Sequence, residues 1–388
     1  MTTVLRSARD DESDAVAALV GAAFSAEPLH RPQVTSPDRE AVVRRVVEDG
    51  ASGRLLATAS ARLCGQWWGG RRVPAAALAG VAVDLTARGR GVGLALVAGT
   101  FAAARESGAL LVALVPSTHA FYRKGGCGIA GRRSVYAVGT HDLRTLPRDP
   151  SLTYRPAGPG DADAVAGLVA ARGARTDGVL DHDERTGSAV PYVALRAGAV
   201  VGWCALGRRP ARPGAGGNYA VVVHDLVGAD PAAELGLWRD LAADEPSARE
   251  VHALVSPGGL LEHHLPRQTE VVEDATWMLG LLDVPGALGA RGYPAGVRGT
   301  LALAVQGSGR TDVLTLDVAG GRATVGSGTA PAGAGTVRLG AADLASVYAG
   351  HLDPVTAHHL GFLEGDADAI ALLRSLFAGP PAVLDRPF

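Results

Sequence analysis

Apolar positions along the first part of the chain change their spacing several times. Val4 to Arg9 has the pattern of a short strand. Asp10-Asp11-Glu12 then places carboxylates where a helix dipole favours them, and Val16, Leu19, Val20 and Phe24 recur at helical spacing. Pro28 and Pro32 end that helix. A second helix is expected from about Pro37 to Glu48, carrying Val42, Val43, Val46 and Val47 inward. Leu55 to Leu63 and Val73 to Val83 flank the turn Trp68-Gly-Gly-Arg71 and predict an antiparallel pair. A helix follows from about Val92 to Glu106. The run Leu110 to Val115 is continuously apolar, as in a strand covered on both faces. Strand, helix and strand in this order predict a parallel pair joined by a crossover.

The pattern then begins again. Arg6 to Ala22 aligns with Arg155 to Ala171 at a constant offset of 149, and Asp14-Ala-Val-Ala17 recurs as Asp163-Ala-Val-Ala166. Tyr192 to Leu206 and Tyr219 to Val227 repeat the strand order, Asp230 to Ala243 predicts a helix, and Val251 to Val255 a second buried strand. Past Pro285 come short strands at Thr300 to Val305, Asp312 to Val318, Arg322 to Val325 and Thr336 to Leu339. Helices follow at Ala341 to Tyr348, about Val355 to Leu360, and Asp366 to Phe377. Strands followed by helices suggest a small α+β domain. The expected division is 1–150, 151–285 and 286–388.

Composition narrows the class. The 388 residues are 47% hydrophobic and 20% charged, enough for several buried cores. A net charge of −2 points to neither nucleic acid nor an anionic membrane. Cys64, Cys127 and Cys204 are scattered and odd in number, which argues against a disulfide framework or a metal site and suits a reducing cytoplasm. No apolar run approaches the ~18 residues of a membrane span, and Met1-Thr-Thr-Val-Leu-Arg6 lacks the pattern of a secretory leader.

The candidate chemistry lies in Leu78 to Leu94, where a buried strand leads through Arg88-Gly-Arg-Gly-Val-Gly93 into a helix. Open backbone N–H groups and the helix dipole favour an anion there. Glycine lets the backbone approach a phosphate, and Arg88 and Arg90 add charge. The spacing is neither that of a dinucleotide fingerprint nor that of a P-loop. R-x-x-G-x-G after an apolar strand resembles the pyrophosphate loop of the GNAT acyltransferases, which bind acetyl-CoA. In the second repeat the corresponding turn is Val227-Gly-Ala-Asp-Pro-Ala-Ala-Glu234, with acids in place of the arginines and a proline that removes a donor. That copy is expected to be structural.

Two further stretches, Ser117-Thr-His-Ala-Phe-Tyr122-Arg-Lys-Gly-Gly-Cys-Gly128 and Thr276-Trp-Met-Leu-Gly-Leu-Leu-Asp283 through Pro294, resemble the Eis family of actinobacterial acetyltransferases, whose name stands for enhanced intracellular survival. The resemblance implies an α/β (α+β) chain of tandem GNAT folds, the first active, followed by a sterol-carrier-protein-like domain. It also implies a hexamer. It gives Tyr122, on the loop between the fifth strand and a Gly-rich turn, the role of general acid, and the terminal carboxylate of Phe388 that of base. Ala82, Val83, Arg88, Gly89, Arg90, Gly91, Gly93 and Ser117 match positions that bind acetyl-CoA, with the Val83 amide facing the thioester oxygen.

The chemistry is acyl transfer to an amine. A tyrosine, with an ordinary pKa near ~10, can protonate a thiolate whose conjugate acid lies near ~8.5. A terminal carboxylate is ordinarily too acidic for a strong base, so desolvation, a relaying water or simple attraction of the ammonium are open roles for Phe388. His119 is a competing base, and Cys127 has no adjacent base to activate it. Trp67 and Trp68 either line an acceptor pocket or cover a hairpin. Pro387, preceded by Arg386, stands where the family's aminoglycoside acetylators carry an acidic residue. The implied acceptor is therefore a small-molecule amine, an aminoglycoside or a less basic natural product. The rival readings are a non-catalytic CoA- or lipid-binding protein and an acyltransferase using a longer acyl-CoA.

Overall fold

The computed structural model describes residues 2–24, 42–181, 189–256, 258–307, 309–328 and 333–385. In chain order the first repeat contains β1 (Thr3–Ser7), α1 (Ser13–Phe24), β2 (Val42–Asp49), β3 (Leu55–Trp68), β4 (Arg71–Val83), α2 (Val92–Glu106), β5 (Leu111–Leu114) and α3 (His119–Arg123). Then come β6 (Cys127–Gly139) and α4 (Thr140–Leu143). The second repeat contains β7 (Leu152–Pro156), α5 (Ala162–Gly173), β8 (Val190–Arg196), β9 (Ala199–Pro210), β10 (Tyr219–Gly228), α6 (Pro231–Asp240), β11 (Glu250–Leu254) and α7 (Leu260–His264). Strand β12 (Glu270–Leu281) leads to α8 (Val284–Ala290), β13 (Gly299–Gln306), β14 (Thr311–Ala319), β15 (Arg322–Ser327) and β16 (Gly335–Gly340). The last elements are α9 (Ala341–Tyr348), α10 (Pro354–His359), β17 (Leu363–Gly365) and α11 (Ala367–Leu376). The chain forms two compact units, residues 1–131 with 277–380 and residues 132–276 with 381–387. Among the described residues no helix is long and apolar enough to cross a membrane.

In the first unit the strands lie in the order β1-β2-β3-β4-β5, antiparallel until the last pair, where β4 and β5 run parallel. The parallel pair needs a crossover, and α2 supplies it. Leu96, Val97 and Phe101 of α2 are buried against Leu56, Leu78 and Val112 of the sheet in one core. The second unit has the same order, β7-β8-β9-β10-β11, with β10 and β11 parallel and α6 between them.

The sequence repeat has a definite physical content. In the first copy Arg6 donates to Glu12 at 2.5 and 2.9 Å, and the Arg9 amide donates to the same carboxylate at 2.7 Å. In the second copy Arg155 donates to Asp161 at 2.7 and 2.8 Å, and the Gly158 amide joins at 2.8 Å. Each clasp ties the first strand to the start of the first helix and occupies an open N-terminal amide.

One expected element is of the wrong type. Val42–Asp49 is a strand, paired with β1 on one edge and β3 on the other. The Val-Val-Arg-Arg-Val-Val spacing fits a helical stripe. The β-branched pairs, however, suit a strand with cover on both faces, and Val46 and Val47 are both buried. Residues 37–41 of that expected helix lie outside the described residues.

The C-terminal part of the first unit is a five-stranded sheet, β15-β14-β13-β16-β17, with α9 and α11 packed beside it. It joins the rest of its unit through an aromatic cluster. Trp68 is fully buried, 5.2 Å from the Tyr348 ring and 6.2 Å from Trp277. Buried Arg291 lies 4.4 Å over Tyr348 and 4.6 Å over Phe377, and its Nη1 donates to the Tyr348 carbonyl at 2.5 Å. Gly69 and Gly292 meet backbone to backbone, so that a Cβ on Gly69 would lie 2.1 Å from the Gly292 carbonyl oxygen. Trp68 is therefore a core residue at a hairpin tip.

Candidate active site

Pairing between β4 and β5 runs from Ala75 opposite Leu111 to Ala77 opposite Ala113 and stops there, although β4 continues to Val83. Strand β5 itself ends one residue later, at Leu114, and β4 is irregular on its other edge. Ser60 pairs with Ala79 and Thr58 with Ala82, so β4 carries one extra residue at this point. Gly80 absorbs it with φ of 61°, a conformation that costs other residues roughly 1–2 kcal/mol. Among the described residues Leu78–Val83 is not paired to β5, which leaves a gap between it and the end of that strand. The Asp84 amide donates to Leu56 of β3 at 2.8 Å. Successive strand amides point to opposite edges, so the Val83 amide faces the β5 side, where the gap is. Ala82 is buried and its amide lies on the β3 side.

The loop between β4 and α2 is braced from within. Asp84 accepts from the Thr86 amide at 2.8 Å and from Arg54 at 2.8 Å. These bonds, chiefly from Thr86, hold its carboxyl below the usual carboxylate range. Arg54 also donates to the Thr86 hydroxyl at 3.0 Å. Asp84 is thus neutralised locally, and Arg88 and Arg90 give the exposed loop its positive charge. The Arg88 Nε donates to the Val83 carbonyl at 3.1 Å, using one of five guanidinium donors. Gly89 and Gly91 have φ of 74° and 79°, and Gly91 is the residue before the first turn of α2. The Asp84-x-Thr86 turn is a local signal that a reading of the sequence could have used.

Gly93 brings the parts together. A Cβ there would lie 3.3 Å from Cγ2 of Val83 and 3.4 Å from Cζ of Phe121. The first turn of α2, the end of β4 and helix α3 therefore meet at one point. Phe121 stacks edge-on against Tyr122 at 4.9 Å. Tyr122 lies on α3, a short helix where a loop is expected, and is only 8% exposed, packed in the core that holds Val92 and Met278. Burial, with a smaller contribution from Cys127, pushes its phenol up to about 12. Cys127 is fully buried and its thiol is pushed up to about 12 by burial, which leaves it inert as a nucleophile. Ser117, on the segment that leads into α3, and His119, its first residue, are exposed. Of the expected site residues, Val83, Arg88, Gly93 and Tyr122 are thus drawn together, with Gly89, Arg90 and Gly91 on the same loop. Phe388 lies outside the described residues.

The second unit handles the corresponding place differently. Only residues 229 and 230 separate β10 from α6. Asp230 caps α6 by accepting from the Ala233 amide at 2.8 Å, and Arg196 donates to the same carboxylate at 2.6 Å. A carboxylate of the chain itself occupies the helix end.

A strand pair that opens beside a glycine-lined helix start is the architecture of a CoA-dependent acyltransferase. Residues 4–130 match the family described as acetyltransferase (GNAT) domain, and residues 284–385 match the sterol carrier protein domain. An uncharacterised N-acetyltransferase of Streptomyces griseus is 31% identical over 318 residues, covering 73% of this chain and 74% of the relative. The crystal structure of a GCN5-related N-acetyltransferase from Kribbella flavida superposes with a TM-score of 0.84 at 27% identity, covering 99% of this chain and 98% of that one. Eis1 of Mycobacterium abscessus shares the fold, with a TM-score of 0.76 at 21% identity over 100% of both chains. The chain belongs to the GNAT N-acetyltransferases, and it is an acetyl-CoA-dependent enzyme of mixed α/β fold with a C-terminal sterol-carrier-protein-like domain.

Proposed function

We propose that the enzyme transfers acetyl from acetyl-CoA to a primary amine of a small molecule in a ternary complex, with Tyr122 as general acid and the Phe388 carboxylate as base. The observation that carries the binding mode is the open end of β4, where the Val83 amide faces the gap and Gly93 packs on Val83 and Phe121. In this reading Arg88, Arg90 and the amides of Gly89, Gly91 and Gly93 hold the pyrophosphate, and Ser117 and Ala82 flank the pantetheine. The Val83 N–H stabilises the thioester oxygen as it gains charge. The amine forms the new C–N bond and gives its proton to the Phe388 carboxylate. The C–S bond breaks, and Tyr122 gives its proton to the departing sulfur, so that CoA leaves as the thiol. Phe388 takes its role from the family resemblance.

The same resemblance supports the division at residues 150 and 285, a second GNAT copy that binds no CoA and a hexameric assembly. The three scattered cysteines support a place in the cytoplasm. Arg386 beside the terminus favours an acceptor less basic than an aminoglycoside. A thiol-release assay with acetyl-CoA against a panel of amines tests the activity. Tyr122→Phe should lower kcat by about 10²-fold or more with little change in KM for acetyl-CoA. A residue appended after Phe388 should cripple turnover and leave CoA binding intact. CoA binding without turnover on any amine would refute the catalytic reading, and full activity in the appended chain would remove the carboxylate from the mechanism.

A further inference from the structure

Helix α3, which carries Tyr122, is fastened at its far end to the C-terminal domain within the same unit. Arg123, the residue after Tyr122, donates from Nη2 to Asp343 Oδ1 at 2.8 Å. Asp343 stands in the first turn of α9, and its side chain is 17% exposed. The turn after α3 is stitched to that helix by the Gly125 amide on the Tyr122 carbonyl and the Gly126 amide on the Arg123 carbonyl, both at 3.0 Å. The next residues then press directly on α9. A Cβ on Gly128 would lie 1.9 Å from the Ala342 carbonyl oxygen and 2.4 Å from Ser346 Oγ, and one on Gly126 would lie 3.6 Å from the Ala341 Cβ. The Arg123 guanidinium also lies 5.9 Å over the Phe362 ring. The turn that follows α3 is therefore referenced to α9 at Arg123 and at Gly128, and Arg123–Asp343 is the charged link among these contacts.

We propose that Asp343 is a positioning residue for acetyl transfer: through Arg123 it sets the pitch of α3 and hence the place of the Tyr122 hydroxyl. The C-terminal domain then acts as a fixed wall behind the proton donor. The inference rests on the reading of Tyr122 as general acid. It agrees with the glycine at 128, where a side chain would push the turn off α9, while Gly126 is needed for its φ of 81°. Proton transfer needs close placement, since a misplacement near 1 Å costs on the order of 100-fold.

The test measures kcat, CoA affinity and thermal stability for Asp343→Ala and Asp343→Glu, each alone and with Tyr122→Phe. Asp343→Ala should lower kcat by about tenfold or more and leave the CoA Kd within about twofold, because the pyrophosphate loop lies on another element. Asp343→Glu should recover most of the loss, and in the Tyr122→Phe background Asp343→Ala should cost nothing further. If Asp343→Ala unfolds the protein, the exchanged pair Arg123→Asp with Asp343→Arg should regain turnover. Unchanged kcat in Asp343→Ala overturns the inference, as does a loss that persists with Tyr122→Phe or an exchanged pair that folds but stays slow. If Tyr122→Phe alone is fully active, the general-acid reading has failed and the inference falls with it. A slow Tyr122→Phe beside a normal Asp343→Ala removes the inference alone.

Discussion

A phenol buried in the core that also holds Val92, Leu96 and Met278 loses more by ionising than one in water, and Tyr122 holds its proton up to about 12. The sign matters for the reaction. A raised pKa means that the donor form is fully present at neutral pH and is lost only as pH rises through about 12. The pH profile of kcat should therefore show no fall assignable to Tyr122 near its ordinary value of 10.0, and a limb there that vanishes in Tyr122→Phe would contradict the assignment. Arg88 makes a second residue-scale prediction. Its Nε is committed to Val83, so its charge is held beside the opening of the gap. Arg88→Ala should weaken CoA by roughly tenfold, the range of one charge-assisted hydrogen bond at an exposed site, as read by calorimetric titration.

At the scale of elements, much is legible in the sequence. Helix α2 has the limits that its pattern of apolar residues predicts, Val92 to Glu106, because Gly91 marks its start and one face repeats without interruption. The crossover between β4 and β5 follows from the same pattern. Strand β2 reads as a helix because Val-Val-Arg-Arg-Val-Val has helical spacing and no alternation, and pairing to β1 and β3, a tertiary matter, overrides it. Helix α8 and strand β17 are too short to leave a periodic trace. The Arg123–Asp343 link spans 220 positions, and nothing in a single chain says which of many acids will meet a given arginine.

The clasp of Arg6 on Glu12 supplies an element-scale prediction. The Arg6 hydrogen bonds hold the Glu12 carboxyl at about 2, below its ordinary 4.5. A depressed carboxylate contributes stability that is complete above the ordinary value and lost as pH falls through the folded one. Glu12→Gln should therefore flatten the loss of stability between about pH 4.5 and 2 in urea titrations, and a parent-like acid limb would contradict the clasp.

Across the whole molecule the two copies have the same strand order and opposite treatment of the helix that follows the fourth strand. The first copy leaves an exposed, positive, glycine-spaced loop there. The second closes the place with Asp230 and Arg196. The second unit also holds the end of the described chain. Arg172, 18% exposed, donates to Asp225 at 2.6 Å and to Asp385 at 2.7 Å, while Asp385 accepts from the Leu180 amide at 3.1 Å and the Val383 amide donates to the Asp177 carbonyl at 2.8 Å. Removing Arg172 would leave two carboxylates facing one another with little solvent. Arg172→Ala should cost about 3 kcal/mol in urea unfolding, and a loss below ~1 kcal/mol would show that the clasp contributes little.

The proposed mechanism has the first copy, and not the second, grip the diphosphate of CoA. Calorimetric titration of the intact chain with CoA tests it most directly, run in parallel on the parent, on Arg88→Ala and on Asp230→Ala. One site per chain is expected, weakened roughly tenfold by Arg88→Ala and unaffected by Asp230→Ala. Two sites per chain, or an affinity that Arg88→Ala leaves unchanged, would contradict it.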